Sequence, residues 1–259
     1  VTTLFSEDYK AGGNTLLDTT RIAQASIPMW QAIFRDNNGS ILQAAQGFKT
    51  QIQTLKGALE SNDRGALQNY LRKAHDFRSG IEEARPREAI NGEVYDWARQ
   101  SGAGEKEAIN ARPDSLATKF NEEALASLAT RTMVPTMVSA ALTLNAIEIQ
   151  KEFSGITIAD KANPSFKDGS AAMLSDPEYV ANLLYYNKEI LLEKLARFEG
   201  KFAHIMEAVE NKDDAAIAQI IEKASTIRGG MPDHRDPDQM REQFLVERGA
   251  QEKPESARG

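Results

Sequence analysis

Residues 18–21 set a carboxylate, two hydroxyls and a guanidinium in a row: Asp18, Thr19, Thr20 and Arg21. With Asp18 as a helix N-cap, its side chain takes the N–H of Thr20 or Arg21 and puts Arg21 in the first turn, beside the positive helix end. Such a corner suits a carboxylate ligand. Arginine's planar fork donates two parallel hydrogen bonds, free backbone N–H groups add more, and Asp18 steadies the guanidinium from behind. A plain capped helix with an intrahelical Asp18–Arg21 ion pair accounts for the same spacing. Trp30 follows beyond Pro28, so helical periodicity does not decide whether it meets Arg21, and a tryptophan by itself is more often core than site.

These residues belong to a segment that occurs twice. Residues 16–80 recur at 166–230 without a gap, at an offset of 150 that pairs Asp18 with Asp168, Asn37 with Asn187, Phe48 with Phe198, Asp63 with Asp213, Lys73 with Lys223, Arg78 with Arg228 and Gly80 with Gly230. The chemistry is not repeated, because Arg21 and Trp30 fall opposite Ala171 and Val180. In the first copy Ile41, Ala45, Phe48, Ile52, Leu55 and Leu59 make one stripe of a long helix; in the second Leu191, Leu195, Phe198, Phe202, Ile205 and Val209 do. Both stripes stop at a polar break, Ser61-Asn62-Asp63 and Asn211-Lys212-Asp213, where an Asx side chain can cap a second helix. Gly80 and Gly230 are placed to end those second helices in the left-handed conformation. At the entries to the long helices Asp176-Pro177 is a strong start signal in the second copy, and Ser26 with Pro28 does the same less cleanly in the first. The pattern predicts an all-α fold, a tandem duplicated helical domain in which two long helix hairpins pack on each other as an intrachain pseudo-dimer.

Along the chain this divides into a first helical unit at 1–80 with the candidate site, a connector at 81–113 with one short helix at 94–99, a second, degenerate unit at 114–230, and a polar tail at 231–259. Residues 115–151 are helical with a break at Pro135. The uncharged run 132–147 is too short for a membrane span and carries Pro135, Thr136, Ser139, Thr143 and Asn145, which reads as a buried helix. With 259 residues, 27 % of them charged, a net charge of -7 and no cysteine, the chain reads as soluble and acidic. That balance disfavours nucleic acid and anionic membranes and excludes disulfides and cysteine-based metal sites. No signal peptide and a cytoplasmic location are expected, and a start at Val1 suggests a piece of a longer protein.

The glycine pair Gly12-Gly13, then Asp18-Thr19-Thr20-Arg21-Ile22-Ala23, then Pro28-Met29-Trp30 with Asn37 beyond, resembles the C-terminal helical domain of prephenate and arogenate dehydrogenases. The resemblance covers residues 12–80 well and 131–230 weakly. It implies a helical domain of the kind at the C-terminus of 6-phosphogluconate dehydrogenase, which in these enzymes forms the dimer and part of the substrate site. It also implies tyrosine biosynthesis, through oxidation and decarboxylation of the dicarboxylate prephenate or of arogenate. By it Arg21 binds a substrate carboxylate, Asp18 orients Arg21, and Thr19, Thr20 and Trp30 complete the substrate-binding set. NAD(P) is implied for the intact protein, on a domain that also carries the catalytic histidine. No catalytic, cofactor-binding or metal residue is assigned to this chain, which alone is expected to be inactive. Either a homodimer or an intrachain pseudo-dimer is implied.

Three departures stand out. Asn14-Thr15-Leu16-Leu17 is an apparent two-residue insertion before the aspartate, Met133-Val134-Pro135-Thr136 has no histidine where relatives often carry a pair, and Gly102-Ala103-Gly104 lacks the third glycine and preceding strand of a dinucleotide loop. His75, His204 and His234 read as solvated. A competing reading makes the chain a helical scaffold that only mediates assembly. An all-helical chorismate mutase is weaker, because no helix shows several inward-facing arginines and lysines.

Overall fold

The computed structural model describes residues 14–24, 26–81, 90–104, 112–152 and 162–231, and among these there is no strand. The first unit runs through α1 (Asn14–Thr20), a 3-10 turn (Arg21–Gln24), α2 (Ile27–Asp36), α3 (Asn38–Glu60) and α4 (Arg64–Ser79). Between the two repeated segments come α5 (Ile90–Gln100), a 3-10 turn (Pro113–Ser115) and, opening the second unit, α6 (Leu116–Lys119), α7 (Glu122–Leu128) and α8 (Val134–Glu152). The second unit repeats the first as α9 (Pro164–Gly169), a 3-10 turn (Ala171–Leu174), α10 (Pro177–Tyr186), α11 (Lys188–Glu210) and α12 (Asp214–Gly229). The pair Gly12-Gly13, His234 and the tail beyond Met231 lie outside the described residues.

Local sequence explains the joints. Asp63 and Asp213 each accept the N–H three residues on, from Ala66 and Ala216, so both cap the returning helix. The same aspartates close the preceding helix: their N–H groups donate to Ala58 and Ala208, while the N–H groups of Asn62 and Lys212 donate to Leu59 and Val209. That is the Schellman arrangement, and it puts Asn62 (φ 58°) and Lys212 (φ 52°) in the left-handed region. Gly80 and Gly230, expected there, keep right-handed φ of -75° and -85° and end their helices in tight turns to Ile81 and Met231. Asp176 caps α10 onto the N–H of Glu178, whereas Ser26 precedes α2 with no side-chain bond. At the kinks Asn37 and Asn187 turn their side-chain amides back to the carbonyls of Ile33 and Leu183, four residues earlier.

The break expected at Pro135 falls before it. A π turn at Ala129–Met133 opens the helix just N-terminal to the proline, relieving the clash with the carbonyl four residues back. The resulting helix from Glu122 to Glu152 is apolar and long, and it is mostly buried inside the protein. The intervening segment is also more than a connector. Its helix spans Ile90–Gln100, and Trp97 is buried in the main core, donating Nε1–H to the carbonyl of Ala124 at 3.1 Å and packing on Phe120 at 4.4 Å between ring centroids.

The two hairpins pack as an intrachain pseudo-dimer. Helix α10 of the second unit lies on α4 of the first, α2 of the first lies on α12 of the second, and α3 crosses α11. At that crossing Phe48 meets its own repeat-mate Phe198 at 6.3 Å, and Phe202 joins at 5.2 Å from Phe48. Contact between equivalent residues places a pseudo-twofold axis through this aromatic cluster. Lys56 and Glu199 pair across the same helices at 2.7 Å, and the hydrogen bond raises the lysine pKa.

The halves are covered unequally. Leu191 and Leu195 are buried while their counterparts Ile41 and Ala45 are only half-buried; Leu55 and Leu71 are buried, against a half-buried Ile205 and an Ile221 at 9 % exposure. Helix α8 accounts for much of this, since it packs on α3, α4 and the turn at Ala171–Leu174, and α7 with the π turn packs on α11.

Helix α8 comes closest to α3 at Gly47, where an added Cβ would meet Asn145 Oδ1 at 2.3 Å. Asn145 is held there by donating to the carbonyl of Ala44 at 3.0 Å. Gly47→Ala therefore loses about 1–3 kcal/mol to overpacking, more than the roughly 1 kcal/mol that alanine returns in a helix. Gly57→Ala, with nothing within 4 Å of its Cβ, is stabilising. Urea midpoints that move in the same direction for both would contradict the contact. Burial raises the Tyr179 phenol to about 12. Its raised folded pKa means this contribution to stability is complete below about pH 10 and is lost as pH climbs toward 12. Absorbance titration of the wild type against Tyr179→Phe should show one late-ionising phenol missing from the variant.

Candidate functional site

Helix α1 is short, and its position is set by a residue outside its own unit. Glu93 of α5 accepts the backbone N–H of Thr15 at 2.6 Å and its hydroxyl at 2.7 Å, while Thr132 donates to the other carboxylate oxygen at 3.3 Å. A carboxylate at the first turn suits both the unpaired N–H groups and the helix dipole. Arg131, turned inward by the π turn, donates to Gln100 at 2.9 Å; burial lowers its pKa, and Glu93 and Asp96 oppose that shift. Leu16 and Leu17 anchor the other face of α1 against Ile227 of the second unit and Met231, the first residue of the segment expected to be a polar tail, which is buried here.

This frame puts the sequence-predicted residues in places that spacing alone did not give. Asp18 is not an N-cap; it lies within α1, half-buried. Arg21 follows the C-terminal end of α1 and opens the 3-10 turn, so the positive helix end invoked for it is elsewhere. The hydroxyls of Thr19 and Thr20 donate to backbone carbonyls of their own helix, at 2.9 Å to Thr15 and 2.7 Å to Leu16. Nor does Arg21 pair with Asp18. Its Nε donates to Asp168, the repeat-mate of Asp18 in the second unit. The second copy therefore keeps a charge that serves the first. The Arg21 side chain remains 44 % exposed, and among the described residues this is its one ion pair.

Asp168 is itself held by a residue to which the sequence assigned no role. Arg78 at the end of α4 is fully buried, donating from Nε to the Ser170 hydroxyl at 2.8 Å and from Nη2 to the Lys167 carbonyl at 3.0 Å. The Ser170 hydroxyl in turn donates to the Phe166 carbonyl at 2.6 Å. Arg78 thus fastens α9 on both sides of Asp168. The available signal was the identity of Arg78 and Arg228 across the repeat, in helices whose other charges are mostly not shared. Arg78, Arg131 and Arg228 are inward-facing after all. They lie in different parts of the fold; Arg78 and Arg131 hold protein groups, and no arginine or lysine lines the large groove, so they make no mutase-like anion cage.

Trp30 is half-buried on α2, stacked on Phe34 at 5.6 Å, and both line a groove with Ile22, Ala23 and the facing side chains of α11 and α12. The groove has a volume of about 180 Å³ and exposes apolar atoms only. Arg21 is the chain neighbour of Ile22 but is not in its lining. His75 is not simply solvated: its Nδ1–H donates to the Met173 carbonyl at 2.8 Å and Nε2 accepts from Ser79 at 3.3 Å. His204 is exposed. No group of three or more His, Cys, Asp or Glu able to hold a metal occurs among the described residues.

The family profile for the prephenate dehydrogenase dimerization domain matches residues 5–73 and again residues 126–223. The chain belongs to that family. The two matched segments are the two halves of the pseudo-dimer, so the dimerisation domain has been joined to a second copy of itself within one polypeptide. No solved structure matches the chain.

The burial of Arg78 and the exposure of Arg21 predict opposite stability effects. Arg78→Ala removes the donors to the Ser170 hydroxyl and the Lys167 carbonyl and empties a fully buried site, and should cost about 2–4 kcal/mol. Arg21→Ala breaks an exposed pair and should cost less than about 1 kcal/mol. Denaturant unfolding of the two variants is the check, and a large loss for Arg21→Ala would make that pair a structural one.

Proposed function

We propose that this chain is the helical substrate-binding and dimerisation region of a prephenate (or arogenate) dehydrogenase-like oxidoreductase of tyrosine biosynthesis, with 1–80 the substrate-site unit and 114–230 the unit that braces it. The observation that carries the reading is the setting of Arg21. The guanidinium is held through Nε by Asp168 while nearly half of the side chain faces solvent. A fork fixed by one nitrogen keeps its terminal nitrogens for a carboxylate, with less rotamer entropy to lose when the ligand arrives. The family match supports the ligand class, since a prephenate dehydrogenase handles a dicarboxylate.

In the intact enzyme NAD(P) supplies the hydride acceptor. The described residues do not fit it: no strand leads into a glycine-rich turn and helix, and Gly102-Ala103-Gly104 follows the end of α5. Oxidation is accordingly assigned to a separate nucleotide-binding domain, and this chain alone is inactive. A cytoplasmic site of action accords with the acidic, cysteine-free composition.

The scaffold reading has one observation in its favour, the wholly apolar lining of the groove beside Arg21. Kinetics of the intact protein separate the two. Arg21→Ala should raise KM for prephenate or arogenate by about 10–100-fold, as expected for loss of a charge-assisted pair worth about 1.5–3 kcal/mol, and Arg21→Lys should recover only part of that. An unchanged KM and kcat in Arg21→Ala would leave the scaffold reading standing.

A further inference from the structure

The 150-residue offset continues past Gly80 and Gly230 into the stretches that follow the two hairpins. It pairs Ile81 with Met231, Arg85 with Arg235, Glu88 with Asp238, Ile90 with Met240, Glu93 with Gln243 and Val94 with Phe244. In the first stretch Ile90, Glu93 and Val94 belong to α5 and are buried. The second stretch carries helix signals of its own: Asp236-Pro237 repeats the start signal of Asp176-Pro177, and Gly249 is placed as a stop. Between them Met240 and Phe244, four residues apart, share one helical face. The correspondence lapses at Trp97 and Glu247, for a physical reason. Trp97 packs on Phe120 and donates to Ala124, and both lie outside the repeated segments.

The place where α5 docks has an uncovered counterpart. Glu93 holds Thr15 of α1, Ile90 donates its N–H to the Ser175 hydroxyl at 3.0 Å just past the turn at Ala171–Leu174, and Ile90 and Val94 share a core with Ala172 of that turn. Thr15 is 5 % exposed and Ala172 6 %. Across the offset stand Ser165 and Ile22. Ser165 is exposed although α9 packs on α1, on α8 and on both neighbouring 3-10 turns, and Ile22 is 42 % exposed. From this we infer that residues 237–248 form a helix that docks on Ser165 of α9 and on the turn at Arg21–Gln24, as α5 docks on Thr15 and beside the turn at Ala171–Leu174. The reach is the same in both copies: Ile81 and Met231 are each 3 % exposed in equivalent turns, and twelve residues lead from Ile81 to Glu93 as from Met231 to Gln243. Gln243 keeps an acceptor oxygen for the Ser165 hydroxyl without the charge of Glu93. Met240 and Phe244 then cover Ile22. The occupant is the chain's own C-terminal segment, and the inference is independent of the role proposed for Arg21.

The chain has no cysteine, so introduced thiols report the contact without background. Ser165→Cys is combined with Gln243→Cys in one chain and with Arg241→Cys in another, the two tail positions standing about 160° apart around the proposed helix. Under a mild oxidant the pair with Gln243→Cys should close within the monomer about tenfold faster, because a disulfide needs its two Cα atoms within about 7 Å. A second measurement uses Ser165→Cys alone, whose thiol should react with a soluble reagent about tenfold faster once Phe244→Asp removes the apolar contact. Equal closing rates for the two pairs overturn the inference, as does a Ser165→Cys reactivity that Phe244→Asp leaves unchanged. A disulfide that joins two chains instead of closing within one also overturns it, because a second copy is then the occupant.

Discussion

The contact of Phe48 with Phe198 is the constraint on which the arrangement turns. Two residues at equivalent places in a repeat can touch only where the pseudo-twofold axis passes, so this pair fixes how the hairpins cross. Once α3 and α11 cross there, α2 must lie on α12 and α10 on α4, because each hairpin leaves an apolar face that it cannot bury alone. Burial of the aromatic cluster and the long stripes is the main driving force. The polar ties across the axis, including the amide of Asn38 on the Val209 carbonyl at 2.6 Å, then select one register.

The crossing is also what assembles the candidate site. Helices α1 and α9 pack beside each other near the axis, so the aspartate of one copy lies within reach of the arginine of the other. In a symmetric pair each arginine would take the partner's aspartate. Here Ala171 has lost its half, and the remaining half spans both units. Degeneration of the second copy is therefore partial in a way that mechanics explains. Residues that brace the first copy's corner persist, Asp168 and Ser170 among them, while the arginine that would make a second corner has gone. Glu93 adds support from the segment between the copies, so α1 is held by side chains from that segment and from the second copy.

Much of the fold was legible because its signals are local. The stripe from Phe48 to Leu59, the caps at Asp63, Asp176 and Asp213 and the helical reading of 132–147 depend on residues within a turn or two of each other. The misplacements have one cause. Asp18 followed by Thr-Thr-Arg satisfies the spacing of a cap, but α1 begins earlier, at Asn14, because Glu93 supplies its N-terminal carboxylate from a distant part of the chain. The Arg21–Asp168 pair has the same origin: helical spacing can propose a partner three or four residues away and is silent about one 147 positions on. Glycine's reputation misled at Gly80 and Gly230, where the left-handed residues are Asn62 and Lys212 instead. The Schellman geometry there is set by the need to close one helix and cap the next within three residues, and a lysine is made to accept it.

The repeat also shows what a duplicated domain needs in order to close. Two copies placed around an axis satisfy each other only if every covering element is present twice. Helices α5 to α8 are described once, ahead of the second copy, and the consequences fall where symmetry says they should. Leu191 and Leu195 are buried and Ile41 and Ala45 only half-buried; Leu55 and Leu71 are sealed, while Ile205 and Trp30 border an open groove. An apolar surface of that kind is costly to leave in water and is commonly a contact surface. Arg21 lies at the edge of this uncovered half, one residue from the groove wall. Anything that covers the groove therefore also lowers the solvent exposure of Arg21, and with it the screening of its pair with Asp168.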